Sequence, residues 1–404
     1  MQCRKRAGAD PLKTGFVPTG DARLTSSGIG TSVVSNMENQ PTFNKKILIG
    51  AGIALAIVAV GIFLTWGLFG APYKNTESQQ FTIPFGLGDQ IQEKTIEELK
   101  EKYYIRSELG FRIALGNTDI EPGAYKISKS MNAWEVASVL KKGPYMKWVV
   151  IPEGLRKEQI AELIGDTLSW TGQEKSSWVN TYTSMTFDEV EGVYFPDTYL
   201  IPVDEGLEAV ADRLRSKFNE EFAPYLNEAT AQNIKWTTLL KIASLVQREA
   251  AGKEDMPLIA GILWNRLLND QKLDIDATVQ YARDTRLAYK DDPCEDPDSY
   301  ARNPENDLCF NSEMLQPSVE YRGIDDWWKP LSAGDTQNID SLYNTYLYKG
   351  LPPHPIANPG KEAIEAVLYP EETNCFYYLH DSEGIIHCSA TYAEHQTNID
   401  KYLQ

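Results

Sequence analysis

The chain has 404 residues, 42% hydrophobic and 24% charged, enough for two or three domains and at least one sizeable core. Its net charge of −18 is uneven: residues 1–46 hold seven Lys/Arg against three Asp/Glu, leaving 32 basic and 54 acidic side chains in the body. An acidic body excludes a nucleic-acid backbone as its natural partner and is compatible with a neutral glycan.

In chain order, residues 1–46 read as a disordered cytoplasmic tail, rich in Gly, Ser and Thr. From Ile47 to Ala71 there are 25 positions without a charge, and about 20 apolar residues span a bilayer. Lys45 and Lys46 precede this run and Trp66 lies near its far end, so the positive-inside rule leaves the tail in the cytoplasm and everything after Pro72 outside. The run is too long and starts too late for a cleaved signal peptide, so the expectation is one uncleaved transmembrane helix over 47–71 in the plasma membrane.

Cysteine usage agrees. Cys3 lies in the reducing tail, whereas Cys294, Cys309, Cys375 and Cys388 lie in the exported body, where disulfides persist. Of the three possible pairings, Cys294–Cys309 with Cys375–Cys388 is favoured. The second pair would bridge strands CFYYL and IIHC around the turn DSEG. A zinc site from His380, His387 and Cys388 matches no common spacing, so no metal is expected.

Residues 73–80 form a polar linker. Residues 81–147 read as a small α+β unit: strand FTIP, a helix over DQIQEKTIEELKEKYYI with Ile91, Ile96, Leu99 and Tyr103 inward, a turn and strand in EPGAYKIS, and a helix from Ser130 to Gly143 with the stripe Trp134, Val136, Val139, Leu140. This unit holds no nucleophile–base set and suits an adaptor or binding module. From Trp148 a larger mixed α+β unit begins. Strand WVVI leads into a Pro-Glu-Gly turn and a helix, followed by EGVYFPDTYLIP (191–202), a long helix around 204–222 and the helix TTLLKIASLVQREAAG. Asp255 is the expected N-cap of DMPLIAGILWNRLLND, with Pro257 in its first turn. Residues 285–340 read as loop; after them come YNTYLYKGLPPHPIANPG, the helix KEAIEAVL, a hairpin and a final helix.

Glu249 stands out. Leu239, Ile242, Val246 and Glu249 step by three, four and three, which is one face of an α-helix, and the helix is expected to stop near Gly252. A carboxylate therefore falls where a core side chain belongs. Burial disfavours its charged form and raises its pKa, as a general acid at neutral pH requires. The competing reading is a helix-end Glu turned to solvent. No GxSxG, HExxH or GxxxxGK[ST] is present, and all four His lie at 354 or later. The 11% aromatic content beside many Asp, Asn and Glu suits sugars, which stack on rings and bond through their hydroxyls.

The segments IPEG (151–154), EGVYFPDTY (191–199), ASLVQRE (243–249), NRL (265–267), DATVQY (276–281), YNTY (343–346) and GLPPHPIANPG (350–360), in that order behind one apolar span, resemble the endolytic murein transglycosylases of the MltG or YceG-like family. The resemblance covers about residues 81–404. It implies a LysM-like module at 81–147 and a YceG-like catalytic domain at 148–404, with 285–340 an insertion longer than expected. It implies Glu249 as the acid/base, with no cofactor; some relatives carry Glu where this chain has Gln247. The implied partners are peptidoglycan strands, the membrane and peptidoglycan synthases. Hydrogen bonds to the reacting sugar are expected from Asp197, Tyr199, Asn265, Asp276, Gln280, Asn344 and Tyr346. Several also have structural readings: Asp197 as a turn cap, Asn265 with Arg266 as a helix–sheet tie, Asp276 as an N-cap and Asn344 as a loop brace. Glu153 and Glu191 read as structural turn residues. Trp327 and Trp328 either stack on glycan or pin their loop. Two other functions compete: a non-catalytic peptidoglycan-binding scaffold and a water-using muramidase.

Overall fold

The structure, a computed structural model, describes residues 45–183, 191–288 and 323–403. The proposed Cys294–Cys309 pair and most of the 285–340 loop lie outside the described residues. The chain divides into two compact units, residues 1–60 and 61–404. Described residues 45–60 of the first unit belong to helix α1, Lys45–Phe69, which carries no charge after Lys46 and buries no residue. At 1.5 Å per residue its 25 residues exceed the roughly 30 Å of a bilayer core.

The second unit is mixed α+β. One antiparallel sheet runs in the order β1 (Gln79–Ile83), β2 (Gly123–Ile127), β3 (Met146–Val150), β4 (Thr198–Pro202). Helices α2 (Ile91–Glu101), α3 (Glu108–Leu115) and α4 (Ala133–Lys141) cover its first half. Around them lies one core, which includes Ile83, Ile96, Leu99, Phe111, Ile127, Val136 and Leu140. A second core gathers β3 and β4 with α5 (Lys157–Leu168), α7 (Leu207–Ala231), α8 (Trp236–Glu249), α9 (Met256–Leu268), α10 (Asp276–Ala288) and α11 (Lys361–Leu368), while the short helix α6 (Gly172–Ser177) adds no residue to it. The β2–β3 seam between the halves is a single bridge, Ala124 to Met146. A hairpin, β5 (Tyr377–His380) and β6 (Ile386–Ser389), and helix α12 (Tyr392–Tyr402) close the chain.

Several boundaries differ from the sequence reading for physical reasons. Helix α4 starts at Ala133 because Asn132 and Glu135 form a capping box there. Tyr103 leaves the α2 stripe with a left-handed φ of 60° and is exposed; Tyr104 is buried in its place, edge-on to Phe81. Trp134 is also exposed and stacks on Phe69 at 5.5 Å. Helix α7 continues through Pro224 to Ala231, with Phe218, Phe222 and Ala229 buried along it. That apolar anchoring offsets the roughly 3 kcal/mol an interior proline costs.

Helix α3 packs where α1 ends. Its Gly110 lies so close to Leu68 that a Cβ there would stand 2.1 Å from the Leu68 carbonyl oxygen. Helix propensity alone makes Gly110→Ala stabilising by about 1 kcal/mol. The backbone clash reverses that sign, so the variant is expected to melt below wild type and to be cleaved faster by trypsin at Lys74. A raised melting temperature would contradict this packing.

Candidate active site

In α8 the stripe Leu239, Ile242 and Val246 is fully buried, and Glu249 closes the helix. The stop comes one residue later, not at Gly252: Ala250 is already extended (ψ 136°) while its N–H still donates to the Val246 carbonyl. The Glu249 side chain is therefore half-buried at a helix end that faces other elements of the second core.

The Tyr378 hydroxyl donates to Glu249 Oε2 at 2.7 Å, across 129 residues of sequence. Three devices bring Tyr378 there. In the hairpin it pairs with Cys388, which is disulfide-bonded to Cys375 with a Cα–Cα separation of 5.8 Å. Asp381 Oδ1 accepts from the N–H groups of Glu383 and Ile385, closing the turn. From α9, the Asn265 amide donates to the carbonyls of Thr373 (2.8 Å) and Cys375 (3.0 Å), and Arg266 Nε donates to the Phe376 carbonyl at 2.6 Å. Asn265 and Arg266 thus hold the strand that carries Tyr378.

Asp276 and Tyr346 stand beside this pair. The Tyr346 hydroxyl donates to Asp276 Oδ1 at 2.7 Å. Thr345 sets that geometry: its Oγ1 accepts from the Ile275 N–H at 2.9 Å, and its own N–H donates to Thr278 Oγ1 at 3.3 Å. On the hairpin side His380 Nε2 lies 3.2 Å from Asp255 Oδ2. Asp255 does occupy the N-cap position of α9 but makes no side-chain cap bond, because its carboxylate is directed to His380.

The electrostatics follow. Burial pushes the Glu249 carboxyl above the ordinary glutamate range, and the Asp276 charge adds to this. The Tyr378 hydroxyl, the Ala277 backbone N–H and His380 oppose it without cancelling it. Tyr378 and Tyr346 are both raised, chiefly by burial and then by carboxylate neighbours, so each stays a neutral hydroxyl donor.

The remaining residues singled out in sequence make hydrogen bonds of their own with other parts of the fold. Asp197 accepts from the Thr198 N–H at 2.7 Å, and the Tyr199 hydroxyl donates to the Phe195 carbonyl at 2.6 Å. Gln280 donates to the Lys329 carbonyl at 3.2 Å. Asn344 is fully buried, with its amide on the Thr336 and Ile339 carbonyls. Gln247 accepts from the Gly360 N–H at 3.0 Å, tying the 350–360 loop to the active helix. Glu191 is buried and accepts from the Lys157 N–H and the Asn358 amide; burial holds its pKa high. Trp327 and Trp328 pin their loop: Arg156 lies 4.3 Å from the Trp327 ring, and Trp328 Nε1 donates to Gln159 at 2.9 Å. Among the described residues no group of three or more His, Cys, Asp or Glu side chains is arranged to hold a metal. Sequence inspection missed Tyr378 and His380 as neighbours of Glu249; only the strand pattern of the hairpin hinted at them.

A sequence profile of the YceG-like family matches residues 87–401. An endolytic murein transglycosylase of Bacillus subtilis strain 168 is 27% identical over 333 residues, covering 76% of this chain and 80% of that protein. One from Streptococcus pneumoniae D39 is 25% identical over 319 residues, covering 71% of this chain. The chain spans about half the length (51%) of that pneumococcal relative. A crystal structure of a yceG-like protein from Listeria monocytogenes aligns with 24% identity and a TM-score of 0.47, covering 80% of this chain and 99% of that one.

A carboxyl whose folded pKa lies above its unfolded value binds its proton more tightly in the folded state. Its contribution to stability then falls as pH rises from about 4.3 through the folded pKa, by about 1.4 kcal/mol per pH unit. Glu249→Gln removes that loss. Thermal unfolding across pH is expected to show the variant matching wild type near pH 4 and exceeding it at pH 8. A difference that does not vary with pH would contradict a Glu249 that holds its proton above the ordinary range.

Proposed function

Because the chain belongs to the YceG-like family, we propose that it is a membrane-anchored lytic transglycosylase that cuts peptidoglycan glycan strands with Glu249 as its one general acid/base. The carrying observation is a half-buried carboxyl at a helix end, hydrogen-bonded by Tyr378 and close to the Asp276–Tyr346 pair. The names of the Bacillus and pneumococcal relatives support the substrate class. The apolar 25-residue helix α1 supports the anchor, with the tail cytoplasmic and the body outside.

In this reading protonated Glu249 donates to the oxygen linking N-acetylmuramic acid to N-acetylglucosamine, and the C1–O bond breaks. Glu249, now a carboxylate, takes the proton of the muramic acid C6 hydroxyl as that oxygen bonds to C1. The product is a 1,6-anhydro end; the proton given to the leaving oxygen is replaced on Glu249 by that of the C6 hydroxyl, and no water is consumed. Ordinary glycosidases need a second carboxylate to act as nucleophile or to activate water. Here the substrate supplies the nucleophile, so one carboxyl suffices. Tyr378 and the Ala277 backbone N–H fix the orientation in which the carboxyl meets the sugar. Asp276 lies close enough to act on Glu249 and would stabilise the positive charge that develops at C1. The 81–147 unit would hold glycan as a LysM-like module, and glycan synthases are the proposed neighbours.

Mass spectrometry of soluble products from purified glycan strands tests the reaction. Wild type is expected to release anhydro-ended fragments, and Glu249→Gln none. Ends heavier by one water would mean a muramidase; strand binding without any release would mean a scaffold. Tyr378→Phe removes an interaction that favours the charged carboxylate, so Glu249 should stay protonated to higher pH. The alkaline limb of kcat/KM then moves up, and kcat falls roughly tenfold for a lost hydrogen bond of about 1.4 kcal/mol. An unmoved alkaline limb would remove Tyr378 from the account.

A further inference from the structure

Where α1 ends, the second unit turns an apolar surface outward that its own fold does not use. Helix α3 buries Phe111, Ala114 and Leu115 in the core beneath it. Its opposite face carries Leu109 and Ile113, four residues apart and so neighbours on one side of the helix, exposed by 60% and 51%. Gly110, beside them, is the residue pressed against the Leu68 carbonyl in the last turn of α1. Trp134, 52% exposed, stacks on Phe69 at the same helix end, and Trp66 is 51% exposed.

The junction is fastened on the polar side as well. The Arg106 guanidinium lies 3.8 Å from the Trp66 ring centroid. Its Nε donates to the Ala71 carbonyl at 2.8 Å and its terminal nitrogen to the Pro72 carbonyl at 3.2 Å. A cation here satisfies carbonyls just beyond the helix terminus and meets the negative end of the helix dipole. The Tyr73 N–H donates to the Lys129 carbonyl at 3.0 Å, so the chain leaving the helix is tied back onto the unit. These contacts leave little freedom for α3 to swing away from the end of α1.

We propose that α3 is an interfacial membrane helix, with Leu109, Ile113 and Trp134 buried at the boundary of headgroups and acyl chains beside the end of α1. This rests on the reading of α1 as a membrane span. If α1 crosses the bilayer, its last turn, with Trp66, lies at the lipid–water boundary, where Trp and amphipathic helices accumulate. Gly110 and Trp134, in contact with that turn, then lie at the same depth. A lipid surface accounts for a Leu, an Ile and a Trp that the fold leaves in solvent, and the occupant follows from continuity with the span. The consequence is that α3 rests on the bilayer surface beside the last turn of α1.

The test uses the full chain in phosphatidylcholine–phosphatidylglycerol vesicles, with a genetically encoded nitroxide side chain at one position per sample: Ile57, Leu109, Ile113 or Glu383. Power saturation compares collision with oxygen, enriched in lipid, against a water-soluble nickel chelate. Oxygen is expected to dominate at 57, both colliders to register at 109 and 113 with oxygen favoured, and nickel to dominate at 383. Nickel dominance at 109 and 113, with 57 still in lipid, would overturn the proposal and leave the span intact. Nickel dominance at 57 would overturn both.

Discussion

The structure depends on one costly placement, a carboxyl set where an aliphatic side chain belongs. Withdrawing a carboxylate partly from water is costly, and the Tyr378 hydroxyl and the Ala277 N–H return only part of that cost. The residue of that imbalance is a raised pKa on Glu249. The other parts of the site work within it. Tyr378 holds the carboxyl in one orientation, Asp276 keeps like charge nearby, and the neutral Tyr346 hydroxyl satisfies Asp276. Were the carboxyl fully solvated, none of these partners would hold it protonated into the range where an acid is needed.

Because the partners come from distant parts of the chain, much of the second core serves to bring them together. The buried face of α8 delivers Glu249, and Gln247 on the same helix grips Gly360. Asn265 and Arg266 grip the approach to β5, and the Cys375–Cys388 bond locks the strand opposite Tyr378. Thr345 joins the loop that carries Tyr346 to the start of α10, which carries Asp276. The disulfide and the Asn265 clamp therefore bear on Glu249 chemistry without touching it. The GLPPHPIANPG loop reinforces the arrangement through Asn358, which donates to both the Leu155 carbonyl and Glu191.

What could be read in the sequence followed the range of the interactions. Glu249 was legible because helical periodicity is local: three buried neighbours within ten residues define its face. The helices, the mixed α+β class, the apolar span and the Cys375–Cys388 hairpin were legible for the same reason. Tyr378 was not, since nothing within its own strand says that its hydroxyl meets a residue 129 positions earlier. The polar residues picked from motifs separate by geometry alone. Asp276 and Tyr346 stand at Glu249, Asn265 acts through the strand it holds, and Asn344 and Tyr199 spend their polar groups on nearby carbonyls. A one-dimensional pattern does not distinguish an amide that braces a loop from one that faces a cleft. The exposed Trp134 and Tyr103 differ from their stripes because the end of α1 and a left-handed turn redirected them, again through contacts that periodicity cannot encode.

The most direct test of the central claim is the protonation state of Glu249 itself. Isotope-edited infrared difference spectroscopy of wild type against Glu249→Gln isolates the stretch of its protonated carboxyl, which can be followed across pH. The account predicts that this band persists above the ordinary glutamate range and that Asp276→Asn, by removing a neighbouring negative charge, moves its midpoint downward. A band that vanishes by about pH 5, near the reference value of 4.3 for a solvated glutamate, would contradict it.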